Sequence, residues 1–247
     1  MNTLPLPDAA TLMDVTNVTW PAAATHDCGP FTIRDGQGGG SRVSSAMLNG
    51  ADAVTPDALN TAEEAMQAIG QKRIFQITPD QSAFDAQLEG AGYRLFDPVT
   101  IYAAPIGPLA DRDIPRVRAF TIWEPLAIQI DIWAAAGIGA DRIAVMKRAT
   151  CPKTSILGRL NDHPAGTAYV GLHNKIAMIH ALEILPHQRK QGMGGFAMAQ
   201  AARWGRDHGA THIALVVRSE NGAANALYTS LRMEPVGRYH YRIHPDD

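Results

Sequence analysis

The stretch from His180 to Gly195, His-Ala-Leu-Glu-Ile-Leu-Pro-His-Gln-Arg-Lys-Gln-Gly-Met-Gly-Gly, sets two proton-moving side chains beside a basic, glycine-rich turn. A turn of this kind that opens a helix can hold an anion. Consecutive backbone N–H groups converge there, and the helix dipole favours negative charge. Arg189 and Lys190 add cationic side chains, and His180 and Glu183 are of the types used in acid–base catalysis. The chemistry on offer is phosphate binding next to proton transfer.

These residues need a strand, a turn and a helix to position them. The apolar run Ile176 to Leu185 reads as the strand, Pro186 stops it, and Phe196 to His208 reads as the helix, with Gly209 ending it. Further strands are predicted at Arg116–Trp123, Thr154–Arg159, Gly166–His173, His212–Val217 and Val236–Ile243, with helical pattern at Ala127–Arg148 and Ala223–Leu231. A meander feeding a β-α-β-α-β end is an α/β or α+β pattern. Residues 99–116, with Pro105, Pro108 and Pro115, read as a boundary between halves of similar size.

The first half ends like the second. With Arg73 placed on Ile213, an offset of 140 (213 − 73), Phe84 falls on Ala224, Leu88 on Tyr228 and Gly92-Tyr93 on Arg232-Met233. Both segments read strand, polar turn, amphipathic helix, strand, which suggests two copies of one fold. Asp35–Gly40 is glycine-rich, but no strand–helix pair frames it, and it reads as a hairpin turn between Phe31–Arg34 and Arg42–Leu48.

Composition narrows the function classes. The 247 residues are 46% hydrophobic and 19% charged, with a net charge of −2, so there is no bulk electrostatic case for nucleic acid or an anionic membrane as partner. No apolar stretch approaches the ~20 residues of a membrane span, and the N-terminus lacks a basic n-region with an apolar run, so the cytoplasm is the expected location. The nine histidines show no zinc spacing, so no metal is expected, and Cys28 and Cys151 are expected as free thiols.

Gly192-Met-Gly194-Gly-Phe-Ala197 fits the dinucleotide pattern G-x-G-x-x-A, but Pro186 to Gln191 separate it from the strand. Only 55 residues follow Gly192 (247 − 192), too few for a doubly wound sheet begun there. The turn is not a Walker loop either, since no Gly-Lys-Ser/Thr follows.

Arg189-x-x-Gly192-x-Gly194 after a strand closed by proline resembles the acetyl-CoA signature of the GNAT N-acetyltransferase superfamily. Asn221-x-x-Ala224-x-x-Leu227-Tyr228 resembles that superfamily's second motif, at the expected distance and on the expected helix. The resemblance implies the acyl-CoA N-acyltransferase fold, as two tandem GNAT-like lobes: a degenerate lobe over residues 1–106 and a catalytic domain over 113–247. It implies acetyl-CoA as co-substrate and transfer of the acetyl group to a small-molecule primary amine by direct attack. A non-catalytic acyl-CoA-binding module is the alternative, and monomer and homodimer both remain open. Coenzyme contacts are implied at Leu182, Ile184, Arg189, Lys190, Gln191, Gly192, Met193, Gly194, Gly195, Asn221, Asn225 and Tyr228.

Tyr228 stands where the superfamily places the acid for the departing thiolate. For the base, His180 is the first candidate by its likeness to the equivalent strand of serotonin N-acetyltransferase, with a satisfied sheet histidine as the alternative. Glu183 is the second, with a structural hydrogen-bond partner as its alternative, and strict alternation would put it on the opposite face from His180 unless a bulge intervenes. The resemblance also leaves open a reaction with water and backbone alone and no side-chain base. Tyr239 to Arg242 lie on a strand that borders the acceptor pocket in the superfamily, so substrate contact and plain solubility both stay open. Two departures stand out: Arg232-Met233 replaces the usual Gly-Phe, and the first half has no basic glycine turn.

Overall fold

The structure, a computed structural model, describes residues 5–247. The first four residues of the segment expected to carry no signal peptide lie outside the described residues. Along the chain run α1 (Ala9–Thr19), β1 (Ala24–Cys28), β2 (Phe31–Asp35), β3 (Ala46–Leu48), α2 (Pro56–Ala68), β4 (Ile74–Ile77), α3 (Ser82–Gly90), β5 (Arg94–Pro105), α4 (Ile106–Ala110), β6 (Ala119–Ile122), α5 (Ala127–Ala135), α6 (Ala140–Arg148), β7 (Lys153–Leu160), β8 (His163–His173), β9 (Ile176–Ile184), α7 (Met193–Asp207), β10 (His212–Arg218), α8 (Gly222–Ser230) and β11 (Glu234–Ile243). Two compact units form. One holds the chain up to Trp20, Ile101–Val217 and Asn221–Gly237, and the other holds Pro21–Thr100, Arg218–Glu220 and Arg238–Asp247.

In the first unit the strand order is β5-β10-β9-β8-β7-β6. β6 to β9 form an antiparallel meander, and β10 runs parallel to β9. Helix α7 covers one face. Its Ala197, Met198, Ala201 and Ala202 are buried against Ile156, Ala168, Val170, Ala177 and Ile179, and the small side chains let helix and sheet approach closely. α1 and α5 pack on β8 and β9. Helix α1, not anticipated above, is capped by Asp8, whose carboxylate accepts from Thr11 N–H at 2.8 Å, and it buries Leu12, Val15, Thr16 and Thr19.

The second unit has the order β1-β2-β3-β4-β11. The expected hairpin is present: β2 and β3 pair antiparallel, and Gly38 and Gly40 take positive φ in the turn. The rings of Phe31, Phe75 and Phe84 meet tilted or edge-on at 5.4 to 5.6 Å, and Tyr93 joins them edge-on through Phe75 at 5.7 Å, to build its core. Tyr239 to Arg242 belong here, with His240 and Arg242 both hydrogen-bonded to Asp85 Oδ1.

The internal repeat holds at the level of elements. One offset (222 − 82 = 140) carries α3, Ser82–Gly90, onto α8, Gly222–Ser230, and the start of β5, Arg94, onto the start of β11, Glu234. Leu88 and Tyr228 are both buried, as are Tyr93 and Met233. The two copies exchange their last strands. β10 is flanked by β5, whose Ile101–Pro105 belong to the first unit, and β4 pairs with β11 through Ile74–Ile77 and His240–Ile243 in the second.

Candidate functional site

The site lies where β9 and β10 part. Their pairing runs from Ile176–His212 to Ile179–Leu215, although β9 continues to Ile184 and β10 to Arg218. Beyond Ile179, β9 carries a bulge. Tyr169 opposes His180 but Thr167 opposes Glu183, so β9 spends one residue more than β8 over this interval. Ala181 accommodates it with φ of 51°. Tyr169 and Thr167 share a face of β8, so their partners His180 and Glu183 also share one. The opposite-face expectation for this pair is thereby corrected, through the bulge that it left open. Trp133, fully buried on α5, donates its indole N–H to the Ala181 carbonyl at 2.8 Å and secures the bulged backbone. Beside it, buried Gln129 donates to Ser155 and Thr167 hydroxyls at 3.0 and 3.1 Å.

His180 is 3% exposed. Its ring stacks on Trp20 at 5.0 Å and approaches Tyr169 at 5.8 Å. Its Nε2 lies 2.9 Å from Thr19 Oγ1, which already donates its proton to the Val15 carbonyl. Thr19 must therefore accept from Nε2–H. Tyr169 is buried with its hydroxyl unpartnered among the described residues, and Trp123 continues the same aromatic cluster at 5.9 Å.

Glu183 is half-buried at the open end of β9. Burial raises its pKa above the ordinary glutamate value, partly offset by the charges of Arg189 and Arg142. Tyr228, on α8, is buried beside Tyr102 at 5.8 Å, and among the described residues its hydroxyl has no hydrogen-bond partner. Burial raises the pKa of its phenol, and the nearby Glu183 charge adds to the shift, so the hydroxyl stays protonated at neutral pH.

The glycine turn has the geometry of an anion cradle. Lys190 and Gly192 take left-handed φ of 59° and 82°, and Gly192, at the N-cap of α7, offers no side chain to cap the helix. The first helical bond of α7 joins Phe196 N–H to the Gly192 carbonyl, which leaves the N–H groups of Met193, Gly194 and Gly195 without helical partners. A Cβ on Gly194 would come within 2.8 Å of Leu227, so glycine there lets α7 sit close on α8. The donor set and the bare backbone suit a phosphate.

Other expected contacts have structural partners. Arg189 turns back, and its Nε donates to the Ile184 carbonyl at 3.0 Å. Gln191 reaches toward the His187 carbonyl. Asn221 caps α8, accepting from Ala224 N–H at 3.1 Å, while Asn225 donates to the Asn221 carbonyl. Met193 is buried, and Leu182 and Ile184 pack against the α7-side core. Trp133, Thr19 and Trp20 were missed, since no spacing in the sequence ties α1 or α5 to the bulge.

A mixed sheet opened between β9 and β10, with a glycine cradle at the helix that follows β9, defines the acyl-CoA N-acyltransferase fold of the GNAT proteins. Residues 128–232 match the Acetyltransferase (GNAT) family. The chain is 24% identical over 233 residues to the uncharacterized N-acetyltransferase YobR of Bacillus subtilis, covering 91% of this chain and 94% of that one. Among solved structures, a GCN5-related N-acetyltransferase from Kribbella flavida superposes with a TM-score of 0.72 at 19% identity, over 98% of this chain and 97% of that one. A tandem GNAT protein from the clavulanic acid biosynthesis pathway gives 0.58 at 13% identity, over 100% of this chain and 91% of that one. Among the described residues, no helix is long and apolar enough to cross a membrane.

Proposed function

We propose that this protein transfers the acetyl group of acetyl-CoA to the primary amine of a small molecule, by direct attack in a ternary complex. Residues 113–247 form the catalytic domain in this reading, with α1 packed onto its sheet, and residues up to 106 form a degenerate lobe without a cradle. The observation that supports this reading is the bulge of β9, which sets Glu183 opposite Thr167 on the face it shares with His180, where its charge acts on Tyr228, with the cradle of α7 after the strand.

The coenzyme supplies an activated thioester, and its pyrophosphate suits the backbone N–H groups of Met193 to Gly195 with Lys190 alongside. Leu182 to Ile184 offer a strand edge for the pantetheine arm. The Glu183 carboxylate accepts the proton of the incoming ammonium group. The Tyr228 hydroxyl donates a hydrogen bond to the departing sulfur while remaining neutral. His180, Trp20, Tyr169 and Trp123 wall the acceptor side, with His180 as a positioning group rather than the base.

Tyr228→Phe tests the acid. Removing a hydrogen bond to a developing charge is worth about 1.5–3 kcal/mol, a loss of about ten- to a hundredfold in kcat. Affinity for coenzyme A, measured by calorimetry, should change less than about twofold. An unchanged kcat would remove Tyr228 from the reaction.

A further inference from the structure

Two large apolar side chains stand in solvent at the margin of the face that carries Glu183. Trp123 is 37% exposed and Leu126 is 45% exposed. Gln129 fixes their segment over the strand pair of Glu183. It accepts from Leu126 N–H at 3.0 Å and donates to the Thr167 hydroxyl at 3.1 Å, and Thr167 opposes Glu183. The Trp123 ring continues inward to Tyr169 at 5.9 Å, and Tyr169 meets Trp20 at the same distance. Tyr169 lies two residues from Thr167 on β8, about 7 Å along the strand. An apolar wall therefore begins one short spacer away from the carboxylate. Large apolar side chains left in water beside such a group mark a surface that a ligand covers.

The charges on this side narrow the ligand further. β6 to β9 contain one acidic residue, Glu183. The helices packed on the same face, α1 and α5, carry one each, Asp14 and Asp131, and both are exposed. Asp131 stands two residues from buried Gln129 and from buried Trp133, which puts it on the far side of α5, and Asp14 stands likewise to Leu12 and Thr16 on α1. Glu124 is paired with Lys147 at 3.6 Å. The wall already has a cation, since the Lys153 ammonium sits 4.7 Å from the centre of the Trp123 ring. A second ammonium group on the acceptor would leave water for a surface with no carboxylate to spare and Lys153 to repel it. An apolar body gains from the same transfer.

We propose that the acceptor is a monoamine held on a short spacer from an apolar body, and that Trp123 and Leu126 select it by covering that body. The proposal rests on the acetyltransferase reading and adds to it the class of substrate. Glu183 serves the reacting amine, so polyamines and amino sugars with several charges are rejected.

The test compares steady-state acetylation of 2-phenylethylamine, ethanolamine and spermidine by the full chain. The wild type should show a kcat/KM for 2-phenylethylamine at least about tenfold above that for either of the others, as burial of one ring implies. Trp123→Ala should act mainly through KM for 2-phenylethylamine and shrink its preference over ethanolamine to less than about threefold. Leu126→Glu places a carboxylate on the wall and should cut the preference over spermidine by at least about tenfold. Leu126 is nearly half exposed, so this variant keeps the proposal testable if Trp123→Ala does not fold. Equal use of the three amines by the wild type, or preferences that survive Leu126→Glu, would overturn the proposal and leave the acetyltransferase reading intact. Acetylation of none of the three, with acetyl-CoA bound, would count against that reading itself and remove the proposal with it.

Discussion

Glu183→Gln is expected to lower kcat by about a hundredfold or more, within the range that a positioned general base contributes. His180→Gln should cost less than about tenfold and leave the shape of the pH–rate profile unchanged. The contrast follows from the bulge at Ala181, which puts both residues on one face while His180 donates to Thr19 and stacks on Trp20. The pH dependence has a definite sign. Burial raises the Glu183 pKa above the ordinary glutamate value, so the carboxylate becomes available only at higher pH than a free one. The wild-type rate should climb with pH through a limb above the ordinary glutamate range and then level, and the variant should lose that limb. Stability moves the other way. A carboxylate whose folded pKa is raised contributes most below its unfolded value, and that contribution is lost as pH rises through the folded value. Glu183→Gln should therefore be at least as stable as the wild type at neutral pH, so the loss of rate is not a loss of fold. A profile altered by His180→Gln but not by Glu183→Gln would reverse the assignment.

Trp133→Ala should destabilise the protein by about 3–5 kcal/mol, the range for emptying a buried large aromatic position. Trp133 is fully buried, and its indole N–H holds the Ala181 carbonyl at 2.8 Å. Trp133→Phe separates the two contributions. It retains most of the apolar volume but leaves the Ala181 carbonyl without that donor, at a cost of about 1–3 kcal/mol if the carbonyl is shielded from water. Because that carbonyl belongs to the bulge, Trp133→Phe should also lower kcat more than its stability loss explains at temperatures where it is fully folded. Urea unfolding and steady-state rates on the same samples check both parts. A phenylalanine variant that is less stable but fully active would show that the bulge persists without the indole.

Much of this arrangement was legible in the sequence because proline and glycine punctuate it. Pro186, Gly192 and Gly209 mark the end of β9, the start of α7 and its stop, and the helix expected at 223–231 lies within one residue of α8 at each end. The repeat was legible for the same reason: α3 and α8 begin and end at one offset. The exchange of β5 and β11 was not. A strand's apolar alternation is satisfied by any partner of like pattern, so it does not say which neighbour the strand will take. The bulge was invisible because Ala181 carries no mark of its left-handed φ, and without it His180 and Glu183 fall on opposite faces. Helix α1 shows apolar positions Leu12 and Val15 with Thr16 and Thr19 at helical spacing, but its docking beside His180 depends on tertiary contacts that this spacing does not encode.

Acetyl transfer is measured directly by following thiol release when the protein is mixed with acetyl-CoA and a panel of small primary amines. Free coenzyme A thiol should appear only with amine present, in step with the N-acetylated amine, and should be lost on Glu183→Gln. Tight binding of acetyl-CoA with no amine-dependent thiol release across the panel would contradict acetyl transfer and leave a binding module in place of an enzyme.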